Sequence, residues 1–546
     1  MPHTLTRRLP IAAAILAFLL LGAAYARTVP PWEAPDEPWH AAYAVALADG
    51  RLPTADETYE HHHPPLAYGW YALGIRLAGI DALPLGEANP RYPFAAAALS
   101  HPPGDPLVGR VAFLRTWGAL LAVLAVPLTF AAARVAGWRG SAAAAPAVLT
   151  AVWPQFVFTG HTISNDGLAT VAGALLLYAF VRAVVAPSRA GQAGRSARFA
   201  ASAAFLGAAV AVGTKLNAAV LVPAGVAAAM IASVRLGRRR ASGLAVAVGA
   251  IAGTITALAF LALAAPTALR SLAAQVLVRS ARSAVALPPA FAADTLTSFW
   301  ARFGWANVDV PPVLLDPVVL VAVLAAACLP LAAHRQRAGL LAAATIMATA
   351  VAAFGVSALA DPQPQGRLLL PALPATALLL TAGWAALPGG RWRAGLGATA
   401  LAVGLATHAA ALAVVLPRAY RDVAPDPGVT IVRHLPAGWR VVATVTEGKP
   451  AVQAAVAQLD GLRRIELPMV VQAAGTVRLI VTNSNGRAVG SAMLPVDVTR
   501  ARPWYGEGGR GRCGWAWTWG GASGGARGLG ARGLGTRELR MGTGSS

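Results

Sequence analysis

Apolar residues gather along this chain in long, nearly unbroken runs, and the polar residues fall in the gaps between them. Half-buried strands would alternate with a period of two, and surface helices would repeat with a period near 3.6. Runs this long instead predict helices that are apolar on every side. Eleven stand out, at 10–27, 112–133, 141–158, 167–186, 199–213, 217–234, 241–265, 313–333, 338–358, 368–387 and 394–416. A helix needs about 20 apolar residues to cross a hydrocarbon layer roughly 30 Å thick, so each run predicts a membrane span. The expected architecture is an all-α polytopic membrane protein of about eleven transmembrane helices, residues 1–416, with a large first loop at 28–110 and no evident internal repeat.

The period changes after the last run. Near Pro425 the composition shifts, and Val441 to Thr446, Arg463 to Val471, Thr476 to Thr482 and Ala488 to Pro495 alternate in strand fashion, with a hairpin turn expected at Asn483-Ser484-Asn485-Gly486. Residues 417–499 are therefore expected to form a small β-sandwich, suited either to binding glycan or to capping the membrane part. From Arg500 onward Gly, Arg and Trp dominate without periodicity, which predicts a disordered tail over 500–546. The change at 500 is abrupt enough to suggest a shifted reading frame that truncates the sandwich.

Composition strengthens the membrane reading. Hydrophobic residues are 56% of the chain and charged residues 12%, too little polar surface for one soluble globule. The formal charge of +22 could suggest a nucleic-acid partner, but the arginines sit largely in short loops and in the last residues, so no nucleic acid is expected. If Arg7 and Arg8 are cytoplasmic, the loops with Arg134 and Arg139, Arg189 to Arg198, Arg235 to Arg240, His334 to Arg337 and Arg391 to Arg393 fall on the same side. No small-residue cleavage site precedes the first polar gap and ten runs follow, so the first run reads as an uncleaved anchor. The expectation is a bacterial plasma-membrane protein with a cytoplasmic N-terminus and an extracytoplasmic C-terminal domain. Cys328 lies in a run and Cys513 in the tail, which implies no disulfide framework.

This topology gathers the chemistry-bearing gaps on the outer face. In Asp36-Glu37-Pro38-Trp39-His40 the acid and proline could simply start a helix. If that helix runs to about Ala48, however, Asp36, His40 and Tyr43 share one face. His61-His62-His63-Pro64-Pro65 reads as an extended segment stiffened by its prolines. Leu66, Trp70, Leu73 and Leu77 then recur at helical spacing, as in a helix lying in the membrane interface. Asn165-Asp166 and Lys215 mark two further gaps, where Asn165-Asp166 could merely cap the following span. Gln365-Gly366-Arg367 puts an arginine on the side where positive residues are scarce, which points to an anionic partner. Ser298-Phe299-Trp300 and Trp305 suit an interfacial aromatic belt.

Taken together, Asp36 to His40, His62-His63-Pro64-Pro65-Leu66, Ser164-Asn165-Asp166-Gly167, Ser298 to Trp300 and Gln365 to Pro371 resemble the GT-C membrane glycosyltransferases. The likeness spreads over residues 10–416 and is strongest to a bacterial family of membrane proteins with little biochemical characterisation. Leu368 stands where that family usually has tyrosine, and Ala67 where the wider clan often does. The resemblance implies transfer of a sugar from a polyprenyl-phosphate donor to a glycan, lipid or protein acceptor of the cell envelope, usually with inversion. It implies Asp36 as base and Glu37 as a second catalytic carboxylate, orienting acceptor or metal. His40, His62, His63, Asn165, Asp166, Lys215, Gln365 and Arg367 are the expected contacts to substrate and donor phosphate. A divalent metal could be held by Asp36, Glu37 and His63, although their spacing matches no fixed ligand pattern. Two other classes compete: a transporter or flippase, which would favour polar residues at mid-membrane depth and paired broken helices, and a non-catalytic envelope assembly protein.

Overall fold

The computed structural model describes residues 2–85, 87–88, 99–101, 104–185, 190–223, 226, 230, 240–270, 273, 287–332, 336–360 and 362–420, together with strand segments between 451 and 543. Among the described residues, nine helices are long and apolar enough to cross a membrane: Leu9–Thr28, Pro106–Val135, Asp166–Val184, Arg195–Thr214, Leu244–Ala264, Pro312–Leu331, Arg337–Leu359, Gly366–Ala386 and Arg393–Ala419. The chain is a multi-pass α-helical membrane protein. Its outward surface is apolar, with Leu263 88% and Val313 70% exposed, as lipid contact requires.

Nine of the eleven expected spans correspond to these helices. The run at 141–158 is broken into helices α6 (Ala145–Ala151) and α7 (Pro154–Gly160). Pro154 has no N–H to give, and it biases Trp153 toward the extended backbone seen there, so the helix stops and restarts. The run at 217–234 begins with a single turn, α10 (Leu216–Ala219), and part of it lies outside the described residues.

The interior is built from small side chains. Ala169 and Ala172 of α8 (Asp166–Val184) and Ala200, Ala204, Ala208 and Ala211 of α9 (Ala190–Thr214) are fully buried in one cluster. Small residues let helices approach closely where lipid offers no hydrophobic drive for association.

The first loop carries α2 (Glu37–Ala48), a 3-10 turn at Tyr59–His62 and α3 (Leu66–Leu77), before α4 (Pro106–Ala122) begins the next span. The amphipathic helix expected after the prolines is α3. Its leucines Leu66, Leu73 and Leu77 face outward, while Tyr68, Tyr71 and Ile75 turn inward. Trp70 of α3 stacks on Trp117 of α4 with ring centroids 4.6 Å apart, and each indole N–H donates to the other residue's carbonyl, at 2.9 and 2.8 Å.

The chain divides into two units, residues 1–287 with 291–422, and residues 288–290 with 423–546. In the second, Ala451–Ala455, Arg537–Thr543, Gly475–Thr482 and Ala488–Val496 form an antiparallel sheet in that spatial order. Arg464–Val470 pairs antiparallel with Arg512–Thr518. Three of these strands match the alternating segments of the sequence, whereas Val441 to Thr446 and the Asn483 turn lie outside the described residues. Arg512–Thr518 and Arg537–Thr543 fall in the segment that composition predicts to be disordered. Composition reports no long-range strand pairing.

Candidate active site

Asp36 occupies the N-cap position of α2 but does not cap it. Its backbone is left-handed, at φ 62°, and its side chain makes no hydrogen bond to the helix. The carboxylate instead accepts from Nη2 of Arg367, 331 residues further along the chain, and remains 27% exposed. Non-glycine residues in this backbone region are uncommon and concentrate where surrounding structure dictates them.

The structure that dictates it begins one residue later. Glu37 is 0% exposed and meets Arg115 of α4 in a two-pronged pair, with Nε to Oε1 at 2.8 Å and Nη2 to Oε2 at 2.6 Å. Glu37 also accepts from the backbone N–H of Trp32 at 3.2 Å and of Ile163 at 3.1 Å. Arg115 donates further to the carbonyls of Ala26, Val29 and Pro30, at 3.1, 2.6 and 2.8 Å. One guanidinium thus ties the end of α1 (Pro2–Thr28) to the start of α2 and fixes the loop that presents Asp36. Glu37 has no free oxygen facing the site, which separates it from the part in acceptor or metal binding that its position beside Asp36 suggests.

Behind Asp36 lies a polar layer from the first loop. The Tyr68 oxygen accepts from Asn165 Nδ2 at 3.1 Å and lies 2.9 Å from His40 Nδ1. Tyr68 and His40 thus share one hydrogen bond at Nδ1, in which the phenol donates when the ring proton sits on Nε2. Burial lowers the pKa of His40, a shift that Glu60 and Asp36 only partly offset, so the neutral ring is the resting form. Tyr43 stacks on Tyr68 at 4.0 Å and donates to the His63 carbonyl at 3.2 Å. His63 Nε2 lies 2.9 Å from Oε2 of the buried Glu60. Burial alone would raise the Glu60 pKa, but His63 beside it holds it below the ordinary range. His62 turns to the Tyr59 carbonyl at 2.7 Å, and burial next to His63 pushes its pKa down to about 4.

The third part comes from helix ends. Asp166 opens α8, and Lys215 sits at the break between α9 and α10, where its Nζ donates to Asp166 Oδ1 at 2.6 Å. Arg367 Nη1 lies 3.6 Å from Asp166 Oδ2, and Nε donates to Gln365 Oε1 at 2.8 Å. Asn165 makes no cap hydrogen bond, so neither residue of the pair serves the helix end that could have explained it. Ser298 Oγ accepts from Gly366 N at 2.7 Å and lies 3.0 Å from the Pro364 carbonyl. The Ser-Phe-Trp segment therefore braces the arginine turn as well as contributing aromatic surface. A Cβ on Gly366 would lie 2.2 Å from Phe299 N and 2.3 Å from Thr295 O, so the turn fits only as glycine.

Asp36 follows the end of the first span, Lys215 the end of Arg195–Thr214, and Asp166 and Arg367 stand in the first turns of their own spans. Four span ends meet, and the polar network lies at one end of the helical bundle. Two groups of side chains there bring metal-ligand atoms within 4.8 Å of one another: Glu60, His62 and His63, and Asp36, His40 and Glu60. Glu37 belongs to neither.

Residues 55–277 match the family model for dolichyl-phosphate-mannose-protein mannosyltransferases. This stretch includes His62, His63, Asn165, Asp166 and Lys215, and leaves Asp36 and Arg367 outside it. It bears out the resemblance to GT-C glycosyltransferases drawn from the motifs. Solved structures similar to the chain include ArnT from Cupriavidus metallidurans in the apo state, 15% identical, TM-score 0.45, covering 72% of this chain and 62% of that one. The same protein bound to undecaprenyl phosphate is 14% identical, TM-score 0.46, with coverages of 71% and 61%. An Archaeoglobus fulgidus oligosaccharyltransferase tethered to an acceptor peptide is 10% identical, TM-score 0.41, with coverages of 75% and 55%. The chain thus spans about three-fifths of the length of ArnT. No curated protein matches it.

Of the expected site residues, Asp36, His40, His63, Asn165, Asp166, Lys215, Gln365 and Arg367 come together through direct polar contacts, and His62 joins them through the Glu60 group. Glu60, Tyr68 and Arg115 were not anticipated as part of it. Arg115 carried a signal, being a charge inside the apolar run at 112–133, and Glu60 another, as the acid preceding the histidines.

Proposed function

We propose that the protein is an integral-membrane glycosyltransferase that moves a sugar from a polyprenyl-phosphate donor to a hydroxyl of an extracytoplasmic cell-envelope acceptor. The observation that carries this reading is the partly exposed Asp36 paired with the buried Arg367, which shares the neighbouring Asp166 with the buried Lys215, at one end of the helical bundle. A lipid phosphate is a competent leaving group, so the chemistry needs a base for the acceptor and positive charge for the departing phosphate. Asp36 takes the proton of the acceptor hydroxyl as its oxygen bonds to the anomeric carbon. The bond from that carbon to the phosphate oxygen breaks, and its electron pair leaves with the lipid phosphate, which Arg367 and Lys215 stabilise. Attack opposite the leaving group inverts the anomeric centre. The Arg367 fork suits two phosphate oxygens, and Lys215 supplies a point charge.

Neutral His40, hydrogen-bonded to Tyr68, completes the polar layer beside Asp36 and Glu60 where sugar or acceptor oxygens would lie. Glu60, His62 and His63 form an acid and imidazole set that fits a divalent cation, which when bound would add positive charge beside the donor phosphate. The basic loops favour a cytoplasmic N-terminus, an outward-facing site and an extracytoplasmic β-rich unit, in the plasma membrane of a bacterium. Membranes supplied with labelled polyprenyl-phosphate sugars test the reading, with wild type and Asp36→Asn compared at matched expression. Labelled product from wild type and none from the variant is expected; equal transfer by both removes Asp36 from the chemistry.

A further inference from the structure

One oxygen of the base in the reaction just proposed is engaged in the resting molecule. The Asp36 oxygen that accepts from Arg367 Nη2 cannot at the same time receive an acceptor proton along that lone pair. Arg367 has a second place to go. Oδ2 of Asp166 is buried, accepts no hydrogen bond from the described residues, and lies 3.6 Å from Arg367 Nη1, just beyond bonding distance. The other Asp166 oxygen is held by Lys215 at 2.6 Å, so the receiving carboxylate is already fixed in place. Gln365, on Nε at 2.8 Å, belongs to the same turn as Arg367 and can follow it. The four charged groups balance, two carboxylates against two cations, and an arriving phosphate adds a negative charge that only the cations can meet.

We infer that the donor phosphate draws Arg367 off Asp36 toward Asp166 and Lys215, so that binding of the lipid donor uncovers the base. Resting on the function proposed above, this assigns Arg367 two alternative partners and makes donor binding a precondition for activating the acceptor hydroxyl. Without donor, the Asp36 oxygen that faces Arg367 is not available to water or acceptor. The competition has a consequence a merely structural ion pair lacks: removing the Asp36 charge strengthens phosphate binding while it removes the base.

Purified full-length protein in nanodiscs, titrated with undecaprenyl phosphate and separately with undecaprenol, tests this. Asp36→Asn is expected to bind the phosphate roughly tenfold more tightly than wild type, the scale of one charge-assisted hydrogen bond no longer competed for. Asp36→Asn with Arg367→Gln loses that gain, and undecaprenol binding is the same in all three. Equal or weaker phosphate binding by Asp36→Asn, with wild type still preferring the phosphate to undecaprenol, overturns the masking and leaves the lipid-phosphate reading intact. Absence of any phosphate preference in wild type and variant overturns both. Thermal unfolding checks that each variant folds, and Asp36→Ser provides the same charge removal should the amide disturb the loop.

Discussion

Two carboxylates adjacent in the chain meet two arginines, with opposite outcomes. Glu37 and Arg115 are sealed from solvent, at 0% and 2% exposure, and every polar atom between them is engaged. Asp36 and Arg367 form a single contact, with Asp36 27% exposed and a second carboxylate close behind the guanidinium. A pair held on all sides fixes geometry. A pair held on one side, at the surface of a cluster with a spare acceptor, can exchange partners. Similar residue types are here divided between holding and acting by how completely each is surrounded.

The sharpest break in this comparison is activity. Asp36→Asn should lower transfer about a thousandfold, the usual scale for loss of a general base, with the unfolding temperature little changed. Arg115→Ala should do the reverse at first sight, removing about 3–5 kcal/mol of stability by leaving Glu37 as an uncompensated buried charge, measurable by thermal unfolding in detergent. If Arg115→Ala were as stable as wild type and Asp36→Asn were unfolded, the division of roles would be wrong. Gly366→Ala tests the brace behind Arg367: its Cβ must displace Phe299 or Thr295, a strain of about 1–3 kcal/mol, and phosphate binding should weaken with it.

The smallest effect concerns pH. His62 is pushed from 6.5 down to about 4 in the folded protein by burial and by His63. The unfolded chain therefore binds the extra proton first, and stability from neutral His62 is full above pH 6.5 and lost as pH falls toward 4. Hydrogen exchange at amides 58–66 should lose protection across that window, and His62→Gln should flatten the loss. An unchanged slope in the variant would assign the acid sensitivity elsewhere, for instance to His40, whose pKa burial also lowers.

Span positions were legible because length and apolarity alone decide them, and nine of the eleven runs became helices of spanning length. The break at Trp153 depended on where one proline fell within a run whose hydropathy hides it. The site was legible as a set of polar gaps on one side, and the joining of Asp36 to Arg367 across 331 residues followed from the topology rather than from any local pattern. Partner choice was not legible. Nothing in Asp36-Glu37 says that the second acid turns to an arginine 78 residues away while the first turns outward, because the αL backbone at Asp36 that separates the two directions is set by tertiary contacts.

The reciprocal bonds between Trp70 and Trp117 behave as a rivet. Two stacked indoles, each bonded to the other's backbone, resist both sliding and peeling, so α3 and α4 translate as one body. Because α4 begins the span Pro106–Val135 and α3 presents Leu66, Leu73 and Leu77 to the surroundings, bilayer thickness sets the height at which α3 rides. Tyr68 rides with it, carrying the phenol that is hydrogen-bonded to His40. The outward leucines of α3 and the buried polar layer are thereby joined through one helix, so a displacement of α3 would reach that layer without touching a polar residue.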